Sequence, residues 1–566
     1  MKTFATLGAL ALILFASSGE ALNDRVASKG FKARGGPYAD FIAGHLEYRA
    51  GNLDSALDFY RKALKSSGNN PDILYEIANV QVKKGQIAEA RESLGKALTA
   101  DPGHIRSRYL LAGVLAATGD RAKASQEYER VVKEDPQNEE AYLHLATLYA
   151  EQKEIVKAEE VLSALVAKNP DSHLGFYYRG RIRAAQKKFE PALADFDKAL
   201  AIAPGFDAAL LDSGAVLEIL GRSSEAEERY RRALHVSPNN VLVRERLGRL
   251  LVREKKLDQA VGEYEALKKF APSSTDVRSK LGLLYLERDQ FDDAINEFTF
   301  VLKEEPANSQ IRFFLGTAYE EKGANAEAMA AFRAVPEDAP LYRDAQLRLA
   351  LLLAQQGKPD EAIAIGRKLR EKYPEDTDLL IFLGGLLEEA KRYDEALVVL
   401  TEATAKAPEH AGAWFSLGVV NDKLGRLDNV ISSMEKVIAL NPKHATALNY
   451  LGYTYADRNM RLDEAEKLIL RAMEVRPEDG FFIDSLAWVY YRKGDFPKAE
   501  ETQRRALAIT PDDPVILEHM GDILAALGKK NEAADQYEKA IAKGHEKKDE
   551  VAAKLKKIRN ARSPGK

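Results

Sequence analysis

Trp488, Tyr491 and Arg492 fall within five residues of one another, one helical turn after Asp484. Trp, Tyr and Arg together are the composition of a binding hot spot, so the chemistry they offer is recognition and not bond making. Two readings of Trp488 stand: an exposed anchor for a partner, or a filler of the seam between helices. A second series, Phe41, Tyr75, Tyr109 and Tyr177, recurs at multiples of thirty-four residues and is accompanied by Tyr38, His45 and Tyr48. Such rings suit an extended peptide or an amphipathic helix, and they equally suit seam packing.

Catalytic chemistry is poorly supplied. The nine histidines include no pair three or four residues apart, the spacing that sets two ligands on one face of a helix. His104, His410 and His444 each follow a proline by two residues, which places them in loops as structural or solvated groups. The absence of cysteine removes disulfides, thiol catalysis and Cys-ligated metal sites together. With no phosphate-binding glycine loop and no nucleophile elbow, the sequence implies no enzyme, no catalytic residue, no cofactor and no metal. A net charge of −4 argues against a generic nucleic-acid binder.

What positions the aromatic residues is a repeat. Eleven prolines, from Pro102 through Pro272 to Pro442, stand thirty-four residues apart without a gap, and a fixed period in the thirties marks a stacked helical array. Eight residues into each unit sits a small residue, such as Gly44, Ala78, Gly214, Gly384 or Gly521; twelve residues later comes alanine, with only Val430 breaking the series. Small side chains at both places let two helices cross closely. Between them a glycine often marks a turn of positive φ, as at Gly51, Gly221 and Gly425. Proline then stops the second helix and restricts the residue before it.

Small-8, Ala-20 and Pro-32 in one register resemble the tetratricopeptide repeat (TPR) over about nine tenths of the chain. The resemblance implies an all-α, right-handed superhelical solenoid of about fifteen hairpins over residues 37–546. It also implies that residues 2, 5, 9, 12 and 13 of each first helix line a concave groove. On that face the expected partner-binding residues are Phe41, Tyr75, Tyr109, Tyr177, Tyr453, Asp484, Trp488, Tyr491 and Arg492, with Asp457, Phe481 and Asp522 beside them. A carboxylate clamp of the kind some TPR proteins use on chaperones is not matched: Asn79 fits, but Tyr75 and Leu110 replace its basic residues.

Two segments depart from the register. The turn in ADRNMRLDEA is one residue longer than in the other units, and AVPEDAPLYRD puts Pro336 in the last turn of a helix. Residues 334–343 are therefore expected to form either a bend or a shortened helix with normal stacking. Outside the array, Lys2, the apolar run Phe4–Ala16 and Gly19-Glu20-Ala21 predict a secretory signal over residues 1–21 cleaved before Leu22, then a flexible leader over 22–36. The protein is thus expected to be exported, and periplasmic if its source is a Gram-negative bacterium. Residues 547–566 predict a cap, with Val551, Ala552, Leu555 and Ile558 on one face; the alternative is a basic patch for anionic polymer or lipid.

The last three units, above all ADRNMRLDEA and DSLAWVYYRKGD, resemble bacterial envelope TPR proteins that act as adaptors for a carboxyl-terminal-processing protease. That resemblance implies a non-catalytic scaffold whose partners are envelope proteins, presenting substrates to a periplasmic protease, with membrane contact only through other proteins and no nucleic-acid partner. The chain lacks the lipid-bearing cysteine of those adaptors. A component of an exopolysaccharide or protein secretion apparatus is the alternative.

Overall fold

A computed structural model describes residues 36–560; the signal, the leader up to residue 35 and the tail from 561 lie outside the described residues. Those described form thirty-one α-helices and, among them, no strand. Fifteen hairpins and one added helix account for all of them, so the all-α solenoid of about fifteen repeats is the fold. The chain divides into two compact units between Arg288 and Asp289.

In the first unit most hairpins close on a ring, and the hairpins of Ala78 and Ala146 close on Leu94 and Leu162. In α11 (Asp207–Ile219) and α12 (Ser223–Val236), a Cβ built on Gly214 would lie 2.5 Å from the ring of Tyr230, which is fully buried. Gly44 meets Tyr60 and Gly180 meets Phe196 in the same way. The small residue at position 8 is thus the socket for a large one at position 24. We expect Gly214→Ala to lower stability by about 1–3 kcal/mol through overpacking, with faster hydrogen exchange confined to the adjoining hairpins. An unchanged denaturation midpoint, or exchange that rises throughout residues 37–288, would contradict this.

All fifteen inter-helix turns carry a residue in the left-handed region. Nine are the expected glycines, and the other six are Lys153, Lys187, Lys255, Asp289, Lys391 and Asn459, with φ between 53° and 63°. The hairpin needs that conformation whether or not glycine is present, and a side chain there costs roughly 1–2 kcal/mol. Lys255→Gly should therefore raise the unfolding free energy by up to about 1 kcal/mol, the gain in native strain being reduced by glycine's freer unfolded chain. A chemical-denaturation series on Lys255→Gly and Lys255→Ala checks it: alanine should give no such gain.

Proline acts from just outside the helix. α4 (Ile87–Ala100) ends before Asp101, which is extended at φ −140°, ψ 100°, as the residue preceding Pro102 must be. The freed proline carbonyl then becomes an acceptor. Arg244 donates to the Pro238 carbonyl at 2.7 Å, Arg278 to that of Pro272 at 2.7 Å, and Trp414 Nε1 to that of Pro408 at 2.9 Å. In each case a residue at position 4 of the next first helix ties the hairpins together.

Within the second unit, α18 (Asn325–Arg333) has nine residues where its counterparts have thirteen or fourteen. Val335 and Tyr342 are nonetheless buried in one continuous cluster with Phe332 and Leu349. The shortened-helix alternative is what this segment contains, and α19 (Tyr342–Gln355) resumes the register. At the C-terminal end α31 (Lys548–Asn560) seats Val551 and Leu555 against Leu517, Leu524 and Tyr537, covering the apolar face that the last hairpin would otherwise expose. Two cations that the alternative basic patch would draw on are engaged: Lys554 bonds Glu518 and Asp522, and Arg559 bonds Glu538.

Candidate functional site

The residues worth building from lie on four first helices of the second unit: α23 (Ala411–Lys423), α25 (Ala445–Asp457), α27 (Gly480–Lys493) and α29 (Pro514–Ala526). Each starts on a side-chain cap. His410 and His444 accept through Nδ1 from the amides of Ala413 and Ala447, and Asp479 and Asp513 do the same for α27 and α29. The loop histidines are therefore N-caps, a role that the sequence reading left unassigned. Successive first helices touch one another, α25 with α27 and α27 with α29, which forms one shared face.

A cleft of about 510 Å³ opens on that face, lined among others by Asp422, Asn449, Tyr453, Asp457, Phe481 and Asp484. Its floor is a buried polar network. Asp484 accepts from Gln503 Nε2 at 2.5 Å and from His519 Nδ1 at 3.0 Å to both of its oxygens; Gln503 also donates to the Ile516 carbonyl at 2.9 Å. Burial works against charge on His519, but the carboxylates around it, Asp484 first and then Asp522 and Glu518, together outweigh it and raise the imidazole above its ordinary value of 6.5. His519 stacks on Trp488 at 4.2 Å between centroids, and Trp488 on Tyr491 at 4.7 Å.

This arrangement corrects the expectation of an exposed tryptophan. Trp488 is 7% exposed and belongs to the hydrophobic cluster of α25–α27, so it fills the seam. Asp484, at 6%, is likewise spent on the floor of the cleft and offers no free carboxylate. Tyr491 and Arg492 are half-buried, and Arg492 donates to the Asp457 carbonyl at 2.8 Å. Tyr453 does line the cleft, and burial pushes its phenol up, so its hydroxyl remains a neutral donor. The exposed ring is Phe481, 55% accessible at the cleft. Its place at position 2 of the first helix was legible; its exposure was not, since that is set by the neighbouring hairpins.

The aromatic series of the first unit is only half available. Phe41 packs on Tyr60 at 5.6 Å, and Tyr109 lies 5.6 Å from Tyr128 and donates to Glu140 at 3.0 Å. Tyr177 is buried at 7% and donates to Asp212 at 3.1 Å, which corrects its assignment to an open groove. Tyr75 is half-buried with the Arg106 guanidinium 4.2 Å from its ring centre and Glu76 3.3 Å from Arg106. A second buried charge cluster, Asp195 held by Arg179 and Arg183, is satisfied within itself. Among the described residues no group of three His, Asp or Glu is placed to hold a metal, and no helix is long and apolar enough to cross a membrane.

Family comparison agrees with this architecture. One tetratricopeptide-repeat model matches residues 47–112, 84–137 and 115–175, and a second such model matches 211–275 and 279–342. The chain is a tetratricopeptide-repeat protein. Residues 343–557 of this TPR protein also match a family described as the C-terminal domain of cilia and flagella-associated protein 70. A TPR repeat-containing protein of Pseudomonas aeruginosa is 46% identical over 76 residues, which is 13% of this chain and 13% of that one. The chain thus spans a small part of that relative's length. Among solved structures, a tetratricopeptide repeat protein from Parabacteroides merdae is 19% identical with a TM-score of 0.39, covering 44% of this chain and 98% of its own. The APC/C hetero-tetramer Cut9-Hcn1 is 16% identical with a TM-score of 0.34, covering 86% and 96%. At these scores neither neighbour says what this TPR protein binds.

Proposed function

We propose that this TPR protein is a non-catalytic scaffold of the bacterial envelope that holds protein partners on the inner face of its first helices and presents substrates to a carboxyl-terminal-processing protease. The observation that supports it most directly is the open cleft on α25, α27 and α29 with Phe481 exposed at it. A solvent-exposed aromatic next to a polar cleft is the arrangement of a binding anchor. The N-terminal segment supports export: a basic residue, an apolar run and small residues before Leu22 are what a signal peptidase reads. The proposed partners are envelope proteins, reached after export to the periplasm.

The test is recovery of the tagged full-length protein from cross-linked envelope fractions, with mass spectrometry of both the bait and what it captures. The expected bait begins at Leu22, and the expected captures include a processing protease and a substrate of it. A bait retaining Met1 together with exclusively cytosolic captures would overturn the envelope reading.

A further inference from the structure

Four carboxylates line the cleft, those of Asp422, Asp457, Asp484 and Asp513, against two basic groups, Arg458 and His519. His519 is committed to Asp484, and Arg458 approaches Asp457 only to 3.9 Å with both side chains about half exposed. The surplus is therefore negative. One acceptor there is also left over: the Asn449 side-chain oxygen is buried with no hydrogen-bond partner, and a buried acceptor without a donor is costly until a ligand supplies one. Acidic groups beside an orphan acceptor and exposed aromatic surface exclude an anion and fit an organic cation.

The molecule already contains two such cations bound to this kind of face. Two hairpins beyond α25, positions 5 and 9 of α29 are Glu518 and Asp522, and they hold the Lys554 ammonium of the cap helix at 2.7 and 2.5 Å. The equivalent positions of α25 are Asn449 and Tyr453, which line the cleft. In the first unit the Arg106 guanidinium lies over Tyr75 and beside Glu76, where ring and carboxylate together receive an arginine. Guanidinium is the better match for the cleft, since it stacks on aromatic rings and carries five donors for several acceptors. A volume of about 510 Å³ lies within the range of ligand clefts, roughly 300–1,000 Å³.

We propose that the cleft on α25, α27 and α29 receives an arginine side chain of an extended peptide partner, its guanidinium among the Asp457, Asp422 and Asn449 oxygens and the peptide's neighbouring apolar side chain on Phe481. The proposal rests on the scaffold reading and gives it a partner chemistry opposite to a carboxylate clamp.

The probe is a fluorescein-labelled hexapeptide alternating arginine and leucine, titrated by anisotropy against the full-length protein, with a glutamate–leucine hexapeptide for comparison. The arginine peptide should bind and the glutamate peptide should not. Phe481→Ala and the pair Asp422→Asn with Asp457→Asn should each weaken binding about tenfold or more, equivalent to roughly 1.4 kcal/mol. The pair Asp394→Asn with Asp428→Asn, which removes the same charge from second helices, should leave it unchanged. Phe481 and the four aspartates are exposed or rim residues, and circular dichroism should show all variants folded. Failure of the wild type to bind the arginine peptide, equal binding of the glutamate peptide, or equal loss in the second-helix pair would overturn the proposal. If the wild type captures envelope proteins but does not bind the arginine peptide, this site falls and the scaffold reading stands.

Discussion

Replacing Trp488 with alanine is expected to lower the stability of the second unit by about 3–5 kcal/mol, the range for deleting a buried large aromatic. The indole is 7% exposed and lies between the Tyr491 and His519 rings, so the change opens a cavity and removes two stacking contacts. Urea denaturation followed by far-ultraviolet dichroism reads the loss. Because coupling in a repeat array runs mainly between neighbours, amide exchange should rise in residues 445–526 and stay unchanged in residues 37–288. Trp488→Phe separates packing from polarity. Its indole Nε1–H is buried without an acceptor, and phenylalanine keeps a ring while deleting that donor, so it should cost less than half as much as alanine. A Trp488→Ala protein with the wild-type midpoint would return this residue to the surface.

The same tryptophan shows where the sequence stopped being legible. Its position 9 on the inner face followed from the repeat, because prolines, small residues and alanines are local requirements of every hairpin and recur with it. What covers a side chain on that face comes from the neighbouring hairpin. His519 is thirty-one residues downstream and belongs to a different first helix, and its stacking on Trp488 helps decide between anchor and filler. Phe481, at position 2 of the same helix, has no such neighbour and stays exposed. The turns show the converse: glycine announced nine of them, but backbone geometry imposed left-handed φ on Lys153, Lys391 and Asn459 as well. Likewise, a histidine two residues after proline looked like loop decoration, whereas the hairpin's entry places its Nδ1 over the amide three residues on, as His444 does for Ala447 at 3.1 Å.

The second large effect is expected at Asp484. Its carboxylate is the common acceptor for Gln503 and His519, and Asp484→Ala leaves both without it in a buried site, at a cost of about 3–5 kcal/mol. The pair also makes stability depend on pH. Facing His519 are Asp484 from α27 and, on its own helix, Glu518 and Asp522, and these carboxylates raise the imidazole despite burial. A group whose folded value lies above its unfolded value contributes fully below the unfolded one, here about 6.5, and that contribution disappears as pH rises through the folded value. The second unit should therefore lose stability from slightly acid to alkaline pH. At the acid end Glu518 acts in the opposite sense: Lys554 lowers it in spite of burial, so its contribution is lost as pH falls. His519→Gln keeps a donor for Asp484 and cannot titrate, so its unfolding free energy should lack the decline above about 6.5 while keeping the acid-side fall. Identical pH profiles for wild type and His519→Gln, measured by urea denaturation in a series of buffers of equal ionic strength, would show that His519 binds its proton alike in the folded and unfolded chain and that the Asp484 carboxylate does not raise it.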